Sequence, residues 1–437
     1  MNCQRKKSKE GGIMKRVLIV LAILLVPAVA FSGTATSRWD LTVGGQVKFQ
    51  FGYADQNVGV TNAGRMDGLK REAIPKQSDA KYGNWFYGMA DESNVTFLVK
   101  GPEAFGAKTT GFLQIRFDGL RTVAAAGNTW EGASIGVAWI RLDWPKTSLL
   151  LGAAPPVPGI IGTHPGNNLA YGIPHFGIKY RPDVLQATAT FKPVKNVDFS
   201  IGLLNAHSFE ADISTAGTNY TRSRFPYLQG GIKFTSDAAG NIGPWKLMLA
   251  LSGYYGKERR FSAAGAADVI DTRGAWEADL KFYIPIIPEK KGNKEGALFL
   301  AGTIFTAQDD VHTGPFAAAF AGAQSYLRPD NTLASPVTTG YFLHAGYYFT
   351  NKAWLNVMYW RTKIHWGGPG TIAYAVSGPN AVETAQQWVF NIMYDVSPAM
   401  RMGVQYDRLK ADYLKRLAGF KSSSAQNVYR FGTYYFF

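Results

Sequence analysis

Hydrophobic and polar residues alternate without a break over positions 40–53. One face reads Leu41, Val43, Gly45, Val47, Phe49, Phe51 and Tyr53; the other reads Asp40, Thr42, Gly44, Gln46, Lys48, Gln50 and Gly52. Period 2 over that length predicts a β-strand longer than those of soluble sandwiches. The pattern returns along the chain. Val95, Phe97 and Val99 alternate with Asn94, Thr96, Leu98 and Lys100. Leu185, Ala187, Ala189 and Phe191 alternate with Gln186, Thr188, Thr190 and Lys192. Leu228 to Phe234 repeats the pattern, and Trp276, Ala278, Leu280, Phe282 and Ile284 alternate with Glu277, Asp279, Lys281 and Tyr283. Trp388, Phe390, Ile392 and Tyr394 alternate with Gln387, Asn391 and Asp395. A strand apolar on one face and charged on the other suits a wall between lipid and water.

The connections between these segments alternate in length. Short ones fall at 101–107, 145–146, 193–196, 236–244, 286–295, 350–352 and 396–399. Long ones fall near 54–90, 119–133, 154–183, 206–225, 257–273, 307–337, 365–385 and 414–425. This predicts an all-β, transmembrane antiparallel barrel of about sixteen strands, with fourteen or eighteen as alternatives. Short periplasmic turns and long extracellular loops are the pattern of outer-membrane barrels, and an even count puts both termini on the periplasmic side. The sixth strand starts either at Val184 or near Phe176, the second case leaving Pro182 at a bulge or edge. Trp39, Trp144, Trp245, Tyr283, Phe349, Trp354, Tyr394 and Phe437 fall near the short-turn rim and predict an interfacial aromatic girdle there.

Composition agrees. Of 437 residues, 48 are Gly and 14% are aromatic, as short strands and tight turns require. Lys15 and Arg16 precede an apolar run at 17–30 that ends Ala28-Val29-Ala30, which reads as a cleavable secretory signal at 1–30 with a possible true start at Met14. The run is too short for a spanning helix, which needs ~20 residues. The remaining 31–437 reads as one barrel domain. Cleavage lowers the formal charge from +15 to +10. The one cysteine, Cys3, is lost with the leader, which excludes disulfides, thiolate zinc or iron–sulfur sites and covalent haem. Export also argues against a nucleic-acid partner.

Three stretches carry a specific resemblance. The chain ends Tyr429-Arg430-Phe431-Gly432-Thr433-Tyr434-Tyr435-Phe436-Phe437, which is similar to the closing strand of Gram-negative outer-membrane proteins. Residues 94–116 resemble the second and third strands of general diffusion porins. Gly152-Ala153 after Leu149-Leu150-Leu151 sits where porins begin an inward-folded third loop, and Pro174-His175-Phe176-Gly177 loosely resembles a stretch within that loop. The resemblance implies a sixteen-stranded, homotrimeric porin with its third loop folded into the pore. It implies lipid and lipopolysaccharide around the barrel. It also implies that Phe431, Tyr435 and Phe437 form a signal for the barrel-assembly machinery.

Catalytic patterns do not fit. Gly132-Ala133-Ser134-Ile135-Gly136 matches Gly-x-Ser-x-Gly, but a loop precedes the serine and a strand follows, the reverse of a nucleophile elbow. The stretch 101–109 misses the phosphate-loop spacing by one residue. The six His show no metal-binding spacing. No enzyme and no cofactor are expected. The informative residues are lumen-facing cations. Lys48, Lys100, Arg116 and Arg141 fall on strands one to four, and Arg430 falls on strand sixteen, which closes beside strand one. The third loop, 153–181, holds no Asp or Glu but does hold His175. The expectation is a basic pore wall, with His175 beside it, that lacks an acidic partner and favours anions. The resulting reading is a passive diffusion channel for small hydrophilic solutes. Its alternatives are a phosphate-type anion-specific porin and, less favoured, a barrel component of a larger surface complex.

Overall fold

The computed structural model describes residues 39–55, 85–89, 93–117, 120–123, 127–130, 133–157, 169, 184–205, 220–223, 225–261, 269–308, 326–327, 333–334, 337–365, 382–413 and 422–437. The expected signal at 1–30, its alternative start Met14, and His175 lie outside these residues.

Sixteen strands close into one antiparallel barrel. They are β1 (Asp40–Ala54), β2 (Ser93–Ala104), β3 (Ala107–Phe117), β4 (Ala133–Asp143), β5 (Thr147–Ala154), β6 (Val184–Val194), β7 (Val197–Leu204) and β8 (Tyr227–Ile242). β9 (Trp245–Phe261), β10 (Val269–Ile287), β11 (Leu298–Gln308), β12 (Val337–Tyr348), β13 (Ala353–His365), β14 (Val382–Ser397), β15 (Met400–Tyr413) and β16 (Ser423–Phe436) complete it. Each strand pairs with the next, and β1 pairs with β16 from Gln46↔Phe436 to Ala54↔Val428, which leaves no open edge. Trp85–Met89 pairs with the end of β1, and Tyr220–Ser223 with the end of β9, so both extend the wall on the long-loop side. Two separate hairpins, Leu120–Val123 with Gly127–Trp130 and Tyr326–Leu327 with Leu333–Ala334, lie within long connections.

The strand count and the alternation of short and long connections agree with the sequence pattern. The described part of β6 begins at Val184; Phe176 lies outside the described residues. Local chemistry explains the short turns. Phe105 and Gly106 both adopt positive φ, 54° and 70°, which is the twist a two-residue hairpin needs. β1 and β16 are further joined by a reciprocal pair of bonds, Gly45 N to Phe437 O at 3.0 Å and Phe437 N to Gly45 O at 3.2 Å.

The two faces separate as the alternation requires. Outward side chains such as Phe49, Ile304 and Val404 are 55%, 51% and 54% exposed, a surface suited to lipid. Their inward neighbours Lys48, Thr303 and Gln405 are buried. The wall is uneven in height. β5 and β7 have 8 residues each, whereas β8, β9 and β10 have 16, 17 and 19. A tilted membrane crossing takes about 9–11.

The expected girdle is corrected in part. Phe349, Tyr394 and Phe437 are exposed at the rim, and Trp39 is exposed. Tyr283 and Trp354 instead point inward and are buried. Tyr283 packs with Ile242, Ala297, Phe299 and Ala301, and Trp245 joins that cluster. Trp354 packs with Met393 and Tyr434. The physical reason is parity: Tyr283 shares its strand face with Glu277, Asp279 and Lys281, so proximity to a turn did not make it lipid-facing.

Candidate pore and its inner wall

Two described pieces of the third long connection, Val157 and Leu169, lie against the inside of the barrel. Each is held by a glutamine and a glycine. On β8, the Gln229 Oε1 accepts the Val157 N–H at 2.8 Å. Lys281 of β10 donates from Nζ to the Val157 carbonyl at 2.7 Å, with Asp279 3.6 Å away. Gly231 leaves the space that the Val157 side chain takes, since a Cβ there would meet Val157 Cγ1 at 2.9 Å. Gln229 is oriented by donating to Gln186 Oε1 at 2.8 Å and to Thr188 Oγ1 at 2.7 Å. Gln186 in turn donates to the carbonyls of Ala154 and Pro155.

The second seat is on β13–β16. Gln405 Oε1 accepts the Leu169 N–H at 2.7 Å. Leu169 is fully buried among Trp354, Met393 and Tyr434. A Cβ on Gly432 would lie 2.9 Å from Leu169 Cδ2. Eleven residues separate Val157 from Leu169, enough chain to reach from one side of a barrel lumen to another at ~3.3 Å per residue.

Gln405 also belongs to a ladder of buried polar side chains that crosses five strands. Arg430 Nε donates to Asp407 Oδ2 at 2.6 Å, and Gln405 Nε2 donates to Asp407 Oδ1 at 2.8 Å. Asn391 Nδ2 donates to Gln405 Oε1 at 3.1 Å, and Asn356 Nδ2 donates to Asn391 Oδ1 at 2.7 Å. His344 Nε2 closes the run on Asn356 Oδ1 at 2.9 Å. Burying this many polar groups is tolerable only because they satisfy one another.

The expected basic wall separates into different environments. Lys48 is fully buried, its ammonium 5.5 Å from the Tyr434 ring centroid. Arg430 is ion-paired with Asp407, with both side chains at or below 5% exposure. Arg141 is ion-paired with Asp143 at 2.7 Å, but those side chains are 43% and 31% exposed. Its guanidinium also lies over the Trp139 ring. Arg116 donates from Nε to Gln114 Oε1 and passes over Gly136, where a Cβ would meet its side chain. The second glycine of the Gly-x-Ser-x-Gly match thus makes room for an arginine. Lys100 is exposed. The expectation of a wall without acidic partners is therefore corrected at two of its members: Asp143 and Asp407 supply the acids from neighbouring wall positions. Phe431, Tyr435 and Phe437 point outward, 45%, 55% and 52% exposed.

The glutamine and glycine seats were missed by sequence reasoning. An inward Gln or Gly on a barrel strand carries no local mark, and only the arrival of the third connection gives it a role. Lys108 follows the short connection at 101–107 and was not among the expected wall residues. Its cross-strand partner is Asp143, which puts it on the lumen-side face with Arg141.

The architecture is shared with outer-membrane channels. The outer membrane channel DcaP of Acinetobacter baumannii aligns with a TM-score of 0.66 at 15% identity, over 93% of this chain and 99% of that one. OmpT of Vibrio cholerae in its trimer form aligns at 0.51 and 9% identity, over 91% and 99%. An anion-selective porin from Comamonas acidovorans aligns at 0.49 and 12% identity, over 92% and 100%. No family sequence model matches the chain, and no curated protein sequence matches it. At these identities the DcaP and OmpT likenesses establish the fold alone: the chain is a sixteen-stranded barrel of the outer-membrane porin type.

Proposed function

We propose that the chain is an outer-membrane channel through which small hydrophilic solutes diffuse passively, with a preference for anions. One observation carries this reading. A single closed wall presents apolar residues outward and charged or amide residues inward, and part of its third long connection is seated on the inner face. Such a wall has a use where water must be enclosed within lipid. The anion preference is supported by the lumen-facing cations, of which Arg116 and Lys100 have no carboxylate within ion-pair distance among the described residues. In this reading the leader is cleaved on export, and the short turns face the periplasm. The chain assembles as a homotrimer in lipopolysaccharide and phospholipid, and the last strand addresses it to the barrel-assembly machinery.

The test is single-channel recording in planar bilayers. Stepwise conductance is expected, with a reversal potential in a KCl gradient that lies on the chloride side. A membrane that stays silent at high protein load refutes the channel, and a potential on the potassium side refutes the anion preference. The trimer is checked by mobility of the unheated protein in detergent gels. Deleting Phe437 removes its bonds to Gly45, so folded barrel in the outer membrane should fall while export through the inner membrane continues. Normal folded yield at low expression would count against the assembly role.

A further inference from the structure

We propose that the anion preference is set at the short-turn mouth of the β2–β7 side, by Lys100, Lys108 and Lys192, and not by the mid-wall Lys48 and Arg430. This rests on the channel reading and names the residues that give it its sign.

The first argument is burial. Lys48 has no exposed surface, and Arg430 is held against the Asp407 carboxylate with almost none. A buried pair is close to a local dipole, and its field decays quickly along a water path. Lys100, Lys108 and Lys192 are exposed, and among the described residues none has a carboxylate within ion-pair distance.

Register places the three together. Lys100 sits opposite Thr110 on one side and Asp40 on the other, with no ion pair formed to Asp40, and Thr110 sits opposite Arg141. Lys108 sits opposite Asp143. Lys192 shares its strand face with Gln186 and Thr188, which form the seat of Val157, and its N–H donates to the carbonyl of Lys146 in the adjoining turn. Lys146 and Lys195 extend the exposed lysines along this rim. The carboxylates nearby that remain outside an ion pair are Asp40 and Glu103, whereas Asp143 is taken by Arg141 and Asp198 by Lys233.

Elsewhere at the mouth the exposed lysines without an ion pair among the described residues, Lys290, Lys291 and Lys352, lie in the turns, and the strand cations are paired. Lys246 is bound to Asp237 at 2.7 Å and Arg401 to Asp395 at 2.6 Å. Lys294, in the turn between β10 and β11, lies over the Tyr348 ring, which packs against both inward aromatic clusters. Unpaired, exposed cations at one mouth raise the local anion concentration on that side only, within a Debye length of ~10 Å at 0.1 M salt.

The experiment compares Lys100→Gln/Lys108→Gln/Lys192→Gln with Lys48→Gln in planar bilayers. Expected is a fall of about threefold or more in the Cl⁻/K⁺ permeability ratio for the triple variant at 0.1 M KCl, fading near 1 M where the Debye length is ~3 Å. Lys48→Gln should change the ratio less. A membrane-impermeant amine-acylating reagent, added to one chamber and then the other, gives a second measurement on the unaltered chain. It should lower the ratio from one side only. An unchanged ratio in the triple variant, a larger shift in Lys48→Gln, or equal effects of the reagent from both sides would overturn the proposal. Unmodified protein that gives no conductance steps would instead sink the channel reading itself.

Discussion

Two ion pairs on the same inner wall show how differently the two sides of this barrel are built. Arg141–Asp143 and Arg430–Asp407 have the same chemistry and similar lengths, 2.7 Å and 2.6 Å. The first stands in water on β4. The second is enclosed between β15 and β16, where Gln405 takes the other carboxylate oxygen. The β2–β7 side is low, half-exposed and rich in cations that lack a carboxylate. The β12–β16 side is dry, with inward Trp354, Trp360, Met358 and Met393 all buried. One sheet thus carries an exposed inner surface and a buried one, and charge has a different value on each.

The largest expected effect tests that difference directly. Asp407→Ala removes the carboxylate from the buried Arg430 and should destabilise the barrel by about 3–5 kcal/mol. Asp143→Ala should cost less than about 1 kcal/mol, because its pair is solvent-screened. Urea titrations of folding into lipid vesicles measure both, and equal losses would erase the distinction between the two sides.

Lipid exposure gives the next effect. Phe49→Arg places a charge on the outer face and should cost about 2–4 kcal/mol near the bilayer midplane. Leu98→Arg, on the half-exposed inner face of β2, should be nearly silent. Heat-modifiable gel mobility reports the folded fraction of each. Comparable damage at both would mean that the register is off by one residue, since a slip of one exchanges the faces.

A smaller effect is expected at the Leu169 seat. Gln405→Leu leaves the Leu169 N–H and the Asn391 amide without their acceptor, a loss of roughly 1–3 kcal/mol. The third connection should loosen there, seen as added open-channel current noise. Noise equal to that of the unaltered chain would show that Gln405 does not hold the connection. The smallest effect sharpens the comparison on the wet side. Asp143→Asn frees Arg141 to join the unpaired cations, so the Cl⁻/K⁺ ratio should rise by less than about twofold at 0.1 M salt. A fall in that ratio would contradict the sign of the whole mouth.

The strand count, the turns and most facings were legible because period 2 is a local signal that neighbouring residues repeat. What the inner wall does with its side chains was not. Asp407 and Arg430 are 23 residues apart and meet only once β15 and β16 are in register, with Gln405 opposite Arg430. Leu169 and Gln405 are separated by 236 residues and meet through a connection with no periodicity. Tyr283 was the avoidable error, since its place in the polar set of β10 already pointed it inward.

The polar ladder from Arg430 to His344 has a direction. A carboxylate can only accept, so Asp407 obliges Gln405 to present its nitrogen, which leaves the Gln405 oxygen for Asn391. Asn391 must then turn its own oxygen to Asn356, and Asn356 turns its oxygen to His344. With only an oxygen before it, His344 has to carry its hydrogen on Nε2. One negative charge on β15 thereby dictates the tautomer of an imidazole three strands away on β12, by a grammar of donors and acceptors in which no amide can be reversed alone.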